Sequence, residues 1–176
     1  MQKAGQNQTD QAISHLKQAL ENEPENGKVL YLLGALHAEI GLYDRAVEEM
    51  TQAVECDPEL SAASFQLGLL HLTAGRPDEA RTAWENLNSL GDSHTLFLFK
   101  RGLLSLADGN QQACVDDLRR GIELNQDNPD LNIDMQRIAD RTEALLDSES
   151  TGDDATDSKP FANLAAYQRD AFDKSE

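Results

Sequence analysis

The sequence predicts an all-α fold built as a stack of helix pairs, and three observations carry that expectation. Residues recur by size at a step of 34: Gly34, Gly68 and Gly102; Ala12, Ala46, Ala80 and Cys114; Leu16, Met50, Trp84 and Leu118. Within a step the apolar residues keep helical spacing, as Leu30, Leu33, Gly34 and His37 do at i, i+3, i+4 and i+7. Gly41, Gly75 and Gly109, with Asn7 in the same column, sit where one helix must stop before the next, at a position suited to a left-handed C-cap. A period of this length marks a repeat array. The 176 residues allow one compact domain, or a short array followed by a tail.

The elements follow in order. Residues 1–26 form a partial first unit, with a second helix from Thr9 to about Asn22, a turn at Asn7 and a stub of the first helix. Full units occupy 27–60, 61–94 and 95–126, each a helix, a tight turn, a helix and a short turn. Pro24 and Pro58 follow the second helices of the first two units and forbid their continuation. Asp92 and Gln126 stand in those places later. Trp84, in the large column, is expected to face Gly68 and Gly102. Arg101 replaces Leu33 and Leu67 and requires an acidic or solvent neighbour; Cys114 and Gly121 replace the usual alanines.

Residues 127–146 are expected to form a capping helix, whose Asp130, Asp134, Arg137, Asp140, Arg141 and Glu143 give the end of the stack a polar face. Residues 147–158 hold five acids, no base and no large apolar side chain, the composition of a flexible linker. Residues 159–176 change character. Phe161, Leu164, Ala165, Gln168 and Phe172 make an amphipathic helix of about three turns, too short to be stable alone in water. Phe161, Leu164 and Phe172 would anchor it, in the groove described below or on a neighbouring molecule as a homodimer.

The series Leu30, Leu33-Gly34, His37, Gly41, Ala46, Met50, Ala53 and Pro58 resembles a tetratricopeptide repeat, whose period is 34. The next unit matches with Leu67-Gly68, His71, Gly75, Ala80 and Trp84, and the resemblance covers roughly residues 5–126. It implies a right-handed α-solenoid whose first helices line a concave surface. A second apolar stripe on those helices would then form a groove of Tyr31, Ala35, Phe65, Leu69, Leu72, Phe99, Leu103 and Leu106, with Lys100 its basic residue. The alternative is that these side chains pack on one another. Family members that clamp the acidic C-terminus of heat-shock chaperones use Lys, Arg and Asn in these columns. Here Tyr31, Ala35, Gln66 and Leu96 stand there, which argues against a carboxylate clamp.

Composition narrows the function. Fifteen Lys and Arg against 32 Asp and Glu give a formal charge of −17, which argues against binding nucleic acid or an anionic membrane. No apolar run is long enough to cross a bilayer. Cys56 and Cys114 lack metal-ligand spacing and read as free thiols in a reducing compartment, hence a cytoplasmic protein unless a targeting segment has been removed. No cofactor, metal or catalytic motif is recognisable. His37 and His71 read as packed or half-exposed helix residues. Glu48-Glu49, Asp78-Glu79 and Asp116-Asp117 read as solvent-facing acids. The expected function is a non-enzymatic module that binds an apolar peptide or amphipathic helix of a protein partner. The alternatives are an assembly scaffold or homo-oligomer whose groove is filled by its own or a neighbour's C-terminal tail, a bacterial secretion chaperone of tetratricopeptide type, and an accessory domain of a longer protein.

Overall fold

The computed structural model describes residues 2–151. Eight α-helices follow one another: α1 (Gln2–Asn22), α2 (Gly27–Glu39), α3 (Tyr43–Cys56), α4 (Ser61–Thr73), α5 (Pro77–Ala83), α6 (Thr95–Ala107), α7 (Gln111–Leu124) and α8 (Pro129–Thr151). A 3-10 helix, Glu85–Leu90, continues α5, and no strand occurs among the described residues. The pairs α2–α3, α4–α5 and α6–α7 are the three full units. Helix α1 packs on α2, α3 on α4, and α7 on α8, so the chain is an α-solenoid in which each element meets its sequence neighbours.

The turns within units are set by Gly41, Gly75 and Gly109, whose φ angles of 79°, 73° and 79° fall in the left-handed region that glycine enters at little cost. Each closes the same pair of bonds. In the first, Gly41 N–H donates to Ala38 O (3.0 Å) and Leu42 N–H to His37 O (2.8 Å), satisfying carbonyls the helix end leaves open. The expected turn at Asn7 does not form. Asn7 lies inside α1, and no residue other than glycine has positive φ among those described. A left-handed turn costs asparagine more than glycine, and no preceding helix is in place to reward it. Four helix starts are capped by side chains, with Asn26, His94, Asn110 and Asn128 accepting from Val29, Leu96, Ala113 and Leu131 N–H, whereas α3, α4 and α5 start without a side-chain cap.

The largest core cluster gathers Phe65, Leu72, Trp84, Phe99, Leu103, Leu118 and Met135 from the last two units and α8. Smaller clusters centre on Met50 with Leu67 and Leu70, and on Leu30 with Ala53 and Ala63. Trp84 is fully buried against Gly68, where an added Cβ would lie 2.2 Å from the indole nitrogen. It does not reach Gly102, which packs on Cys114 and Leu118 instead. Each glycine of this column receives the large residue of its own unit, so one side chain does not serve two units.

The 61–94 unit departs from the expected full second helix. Helix α5 stops at Ala83, and Trp84 is its C-cap. The indole N–H donates to Phe65 O at 2.9 Å, while the chain tightens into the 3-10 helix over Asn86, Asn88 and Ser89, residues whose side chains compete for backbone bonds. Lys100 donates to the Trp84 carbonyl (3.1 Å) and to Asn88 Oδ1 (2.5 Å), satisfying the groups the break exposes.

Two polar side-chain contacts join helices within units. His37 Nδ1 lies 2.6 Å from Glu49 Oε2 across α2 and α3, and Arg101 grips both oxygens of Asp117 at 2.6 and 2.7 Å across α6 and α7. The acid that Arg101 required is therefore present. Glu49 and Asp117 are correspondingly not the solvent-facing acids expected of their pairs; each is half-buried beside a base, the buried His37 in one case and the exposed Arg101 in the other.

Helix α8 buries Leu131, Met135, Ile138, Ala139 and Thr142 and turns Asp140 and Glu143 to solvent, where Arg119 pairs with both. It occupies the register of a fourth first helix and runs to Thr151, past the expected boundary at 146 and into the segment read as linker. Asp147 and Ser148 continue helical bonding without a break, so the linker reading fails for 147–151; residues 152–158 lie outside those described.

Candidate functional site

The nine residues expected to line a groove separate into two groups. Phe65, Leu72, Phe99 and Leu103 are at most 1% exposed, and Lys100 and Leu106 are 5% exposed. These six belong to the interior, which corrects the reading of them as groove lining. The cause is local. The Phe99 ring lies over Gly121, where an added Cβ would come within 2.4 Å of it, so the small residue of α7 forms the socket. Phe65 stacks on Trp84 with centroids 5.7 Å apart and meets Phe99 at 6.3 Å. Lys100 is drawn inward by the carbonyl of Trp84, and burial pushes its ammonium below the usual lysine range.

Tyr31, Ala35 and Leu69 remain half-buried at the surface. Burial on one side raises the Tyr31 phenol above its ordinary range. Tyr31, Ala35, Ala38 and Val47 pack around buried Met50, Leu67 and Leu70, so the open part of the first full unit is one continuous apolar cluster. The column Tyr31, Phe65, Phe99 is continued by Ile133 of α8, which is 51% exposed. The tail anchors Phe161, Leu164 and Phe172, and the homodimer they would support, lie outside the described residues.

A surface not foreseen from the sequence opens at the turn between α2 and α3. Among the described residues, Leu32, Ile40, Leu42, Tyr43, Leu124 and Ile133 are the exposed large apolar side chains. Four of the six lie within positions 32–43, and Ile40, Leu42 and Tyr43 flank one glycine. Beside them is a shallow cleft of about 190 Å³, lined by Tyr43, Asp44, Val47, Leu70, Thr73, Ala74 and Arg76. The signal was in the column: the equivalent turns read Ala74, Arg76, Pro77 and Asp108, Asn110, Gln111, all small or polar or proline, where this one holds isoleucine, leucine and tyrosine.

The titratable groups of the interior have structural surroundings. His37 is closed against Glu49. His71, its equivalent one unit on, has a buried Nδ1 that faces no protein partner, because Ala83 stands where Glu49 would; its pKa is lowered by burial, then by the charge of Arg76. Burial pushes the Cys114 thiol up to about 12, while Cys56 is exposed. No group of three or more metal-ligating side chains comes together among the described residues. No helix among them is long and apolar enough to cross a membrane.

Repeated helix pairs, a closed interior and an apolar surface on the outer units define an α-solenoid of the kind that binds other proteins. The tetratricopeptide repeat family matches residues 3–63 and again residues 62–129, and the chain belongs to that family. It is a protein–protein interaction module. Among solved structures it is similar to MamA 41-end from Desulfovibrio magneticus RS-1, with 18% identity, a TM-score of 0.60, and coverage of 92% of this chain and 86% of that one. A second MamA crystal structure aligns at 21% identity and a TM-score of 0.58, over 96% of this chain and 93% of the other. At this identity the likeness is one of fold. No curated protein sequence matches the chain.

Proposed function

We propose that the chain is a non-enzymatic adaptor that binds an apolar peptide or amphipathic helix of a protein partner on its first full repeat. The observation that carries this reading is the concentration of exposed Ile40, Leu42 and Tyr43 beside the α3–α4 cleft, continuous through Val47 with half-buried Tyr31 and Ala35. Two or three apolar side chains seated there, each worth about 1.5–3 kcal/mol when fully buried, suit a micromolar interaction once the costs of association are met. The middle of the array contributes little, since Phe65 and Phe99 are spent on its own core. The non-enzymatic reading is supported by the way His37, Lys100 and Arg101 are each engaged by neighbours that hold helices together.

The test is affinity capture with the chain and with Leu42→Glu and Tyr43→Glu, each checked for unchanged helicity by circular dichroism. The expected result is that a partner retained by the parent is lost from both variants and kept by Leu124→Glu. Retention by the turn variants would move the site elsewhere.

A further inference from the structure

Positions sealed in every full unit stand open on α1. On the second helix of a unit, and on the 3-10 helix that extends α5, the residues at i, i+4 and i+7 are buried in each case: Ala46, Met50 and Ala53; Ala80, Trp84 and Leu87; Cys114, Leu118 and Gly121. Their own first helix covers them, as Gly34 meets Met50 and Gly68 meets Trp84. Ala12, Leu16 and Ala19 hold the same positions on α1 and are only half-buried, because no first helix among the described residues packs there. Since α1 stays helical through Asn7, the residues before it continue along its axis instead of turning back over the stripe. Leu32 tells the same story from α2. Its equivalents Gln66 and Lys100 are half-buried and buried, and Lys100 reaches the carbonyl of Trp84 in the preceding unit; Leu32, whose counterpart of Trp84 by the 34-residue step is Leu16, is 49% exposed.

The sequence contains a segment whose residue pattern suits that gap. Helix α2, the first helix nearest the gap, reads large, Leu, Gly, His at 0, +3, +4 and +7 in Leu30, Leu33, Gly34 and His37. Phe161, Leu164, Ala165 and Gln168 repeat that code: large, Leu, small, polar. Pro160 precedes them at a place suited to a first helical turn. The segment lacks a small residue followed at +4 by a large apolar one, the pattern that Ala46 and Met50, Ala80 and Trp84, and Cys114 and Leu118 share on second helices, so it does not suit the open face of α8, which moreover presents Asn132, Gln136 and Asp140. Charge agrees. Residues 2–22 hold two acids and two bases and residues 159–176 three of each, so the whole −17 lies between them and the two segments meet without net repulsion.

We propose that residues 160–172 of a second copy of this chain pack on Ala12, Leu16, Ala19 and Leu32 as the missing first helix, joining copies head to tail. The donor is a second copy because of reach. Residues 152–159 span at most about 29 Å fully extended, whereas α8 alone, at 23 residues, is ~34 Å long and six helices separate it from α1. The contact is heterologous, so it leaves a free stripe at one end and a free tail at the other and grows with concentration. It uses none of Ile40, Leu42 or Tyr43, so its failure and that of the partner surface are separable.

The experiment is sedimentation of the full chain and of two full-length variants, Leu16→Glu and Leu164→Asp, across the micromolar to millimolar range. The parent is expected to rise steadily above its 19.4 kDa monomer mass. Each variant alone stays monomeric, since each lacks one half of every contact. Mixed in equal amounts, they form a dimer and nothing larger, because the Leu16→Glu tail fits the intact stripe of Leu164→Asp and neither other end is usable. Ala19→Glu and Phe161→Asp repeat the test should either first variant lose helicity. A monomeric parent, a variant that still associates, or a mixture that stays monomeric overturns the proposal.

Discussion

His37 and His71 occupy one column, yet Glu49, which bonds His37, is replaced by Ala83, and Arg76 and Glu79 act on His71 where the earlier unit has Leu42 and Arg45. The His71 pKa is lowered, chiefly by burial. In the unfolded chain it takes up its proton near ~6.5. The neutral form is therefore the one the fold favours; its contribution is present above that pH and is lost as the pH falls further through the folded value. Ala83→Glu installs the partner that His37 has. It is expected to reverse the sign, with His71 raised, its contribution present in acid and lost as pH rises through the folded value. Following the His71 ring by NMR titration checks this; a ring that still titrates below the ordinary value in Ala83→Glu contradicts it. Trp84 is the other residue on which much rests. Removing its indole leaves a void against Gly68 and Phe65 and frees the Phe65 carbonyl, so Trp84→Ala should cost about 3–5 kcal/mol, a large part of a typical 5–15 kcal/mol. Chemical denaturation measures it, and a stability unchanged within error would place Trp84 outside the core.

At the scale of elements, the broken second helix after Trp84 is held by Lys100, whose ammonium bonds the Trp84 carbonyl and Asn88. Lys100→Met keeps the length of the side chain and leaves those two acceptors without it, a loss of about 1–3 kcal/mol. Amide exchange should quicken in residues 84–90 more than in α6 and α7; uniform protection across all three would show that the 3-10 helix holds by packing alone. This break was poorly legible in the sequence, because Ala80 and Trp84 keep the repeat columns up to it, and only Leu87 in an alanine column and the cluster Asn86, Asn88, Ser89 hinted at weak helix. The turns at Gly41, Gly75 and Gly109 were legible, since a left-handed cap has a residue preference that a column displays. The turn at Asn7 was not, because asparagine tolerates both conformations and the neighbouring helix decides. The end of α8 was misplaced for a similar reason: acids and serines read as linker, but a helix already anchored by Leu131, Met135 and Ile138 can carry them for another turn.

For the molecule as a whole, the repeat register identified the helices, their order and the family, but not which apolar faces would stay open. A column of Tyr31, Phe65 and Phe99 looks alike from end to end. The two phenylalanines vanish into the interior because Gly121 gives one a socket and Trp84 gives the other a stacking partner, and both facts require knowing what lies opposite. The exposed set at Ile40, Leu42 and Tyr43 is the reverse case, three apolar residues at a turn where the later units are small or polar or proline. Leu42 and Leu124 offer a matched comparison, being 42% and 38% exposed in different units. The most direct measurement of where partners bind is site-specific photocrosslinking from these two positions in an extract containing the partner. A discrete adduct to another protein is expected from position 42 and none from position 124; an adduct from position 124 with none from 42 would place the binding surface elsewhere.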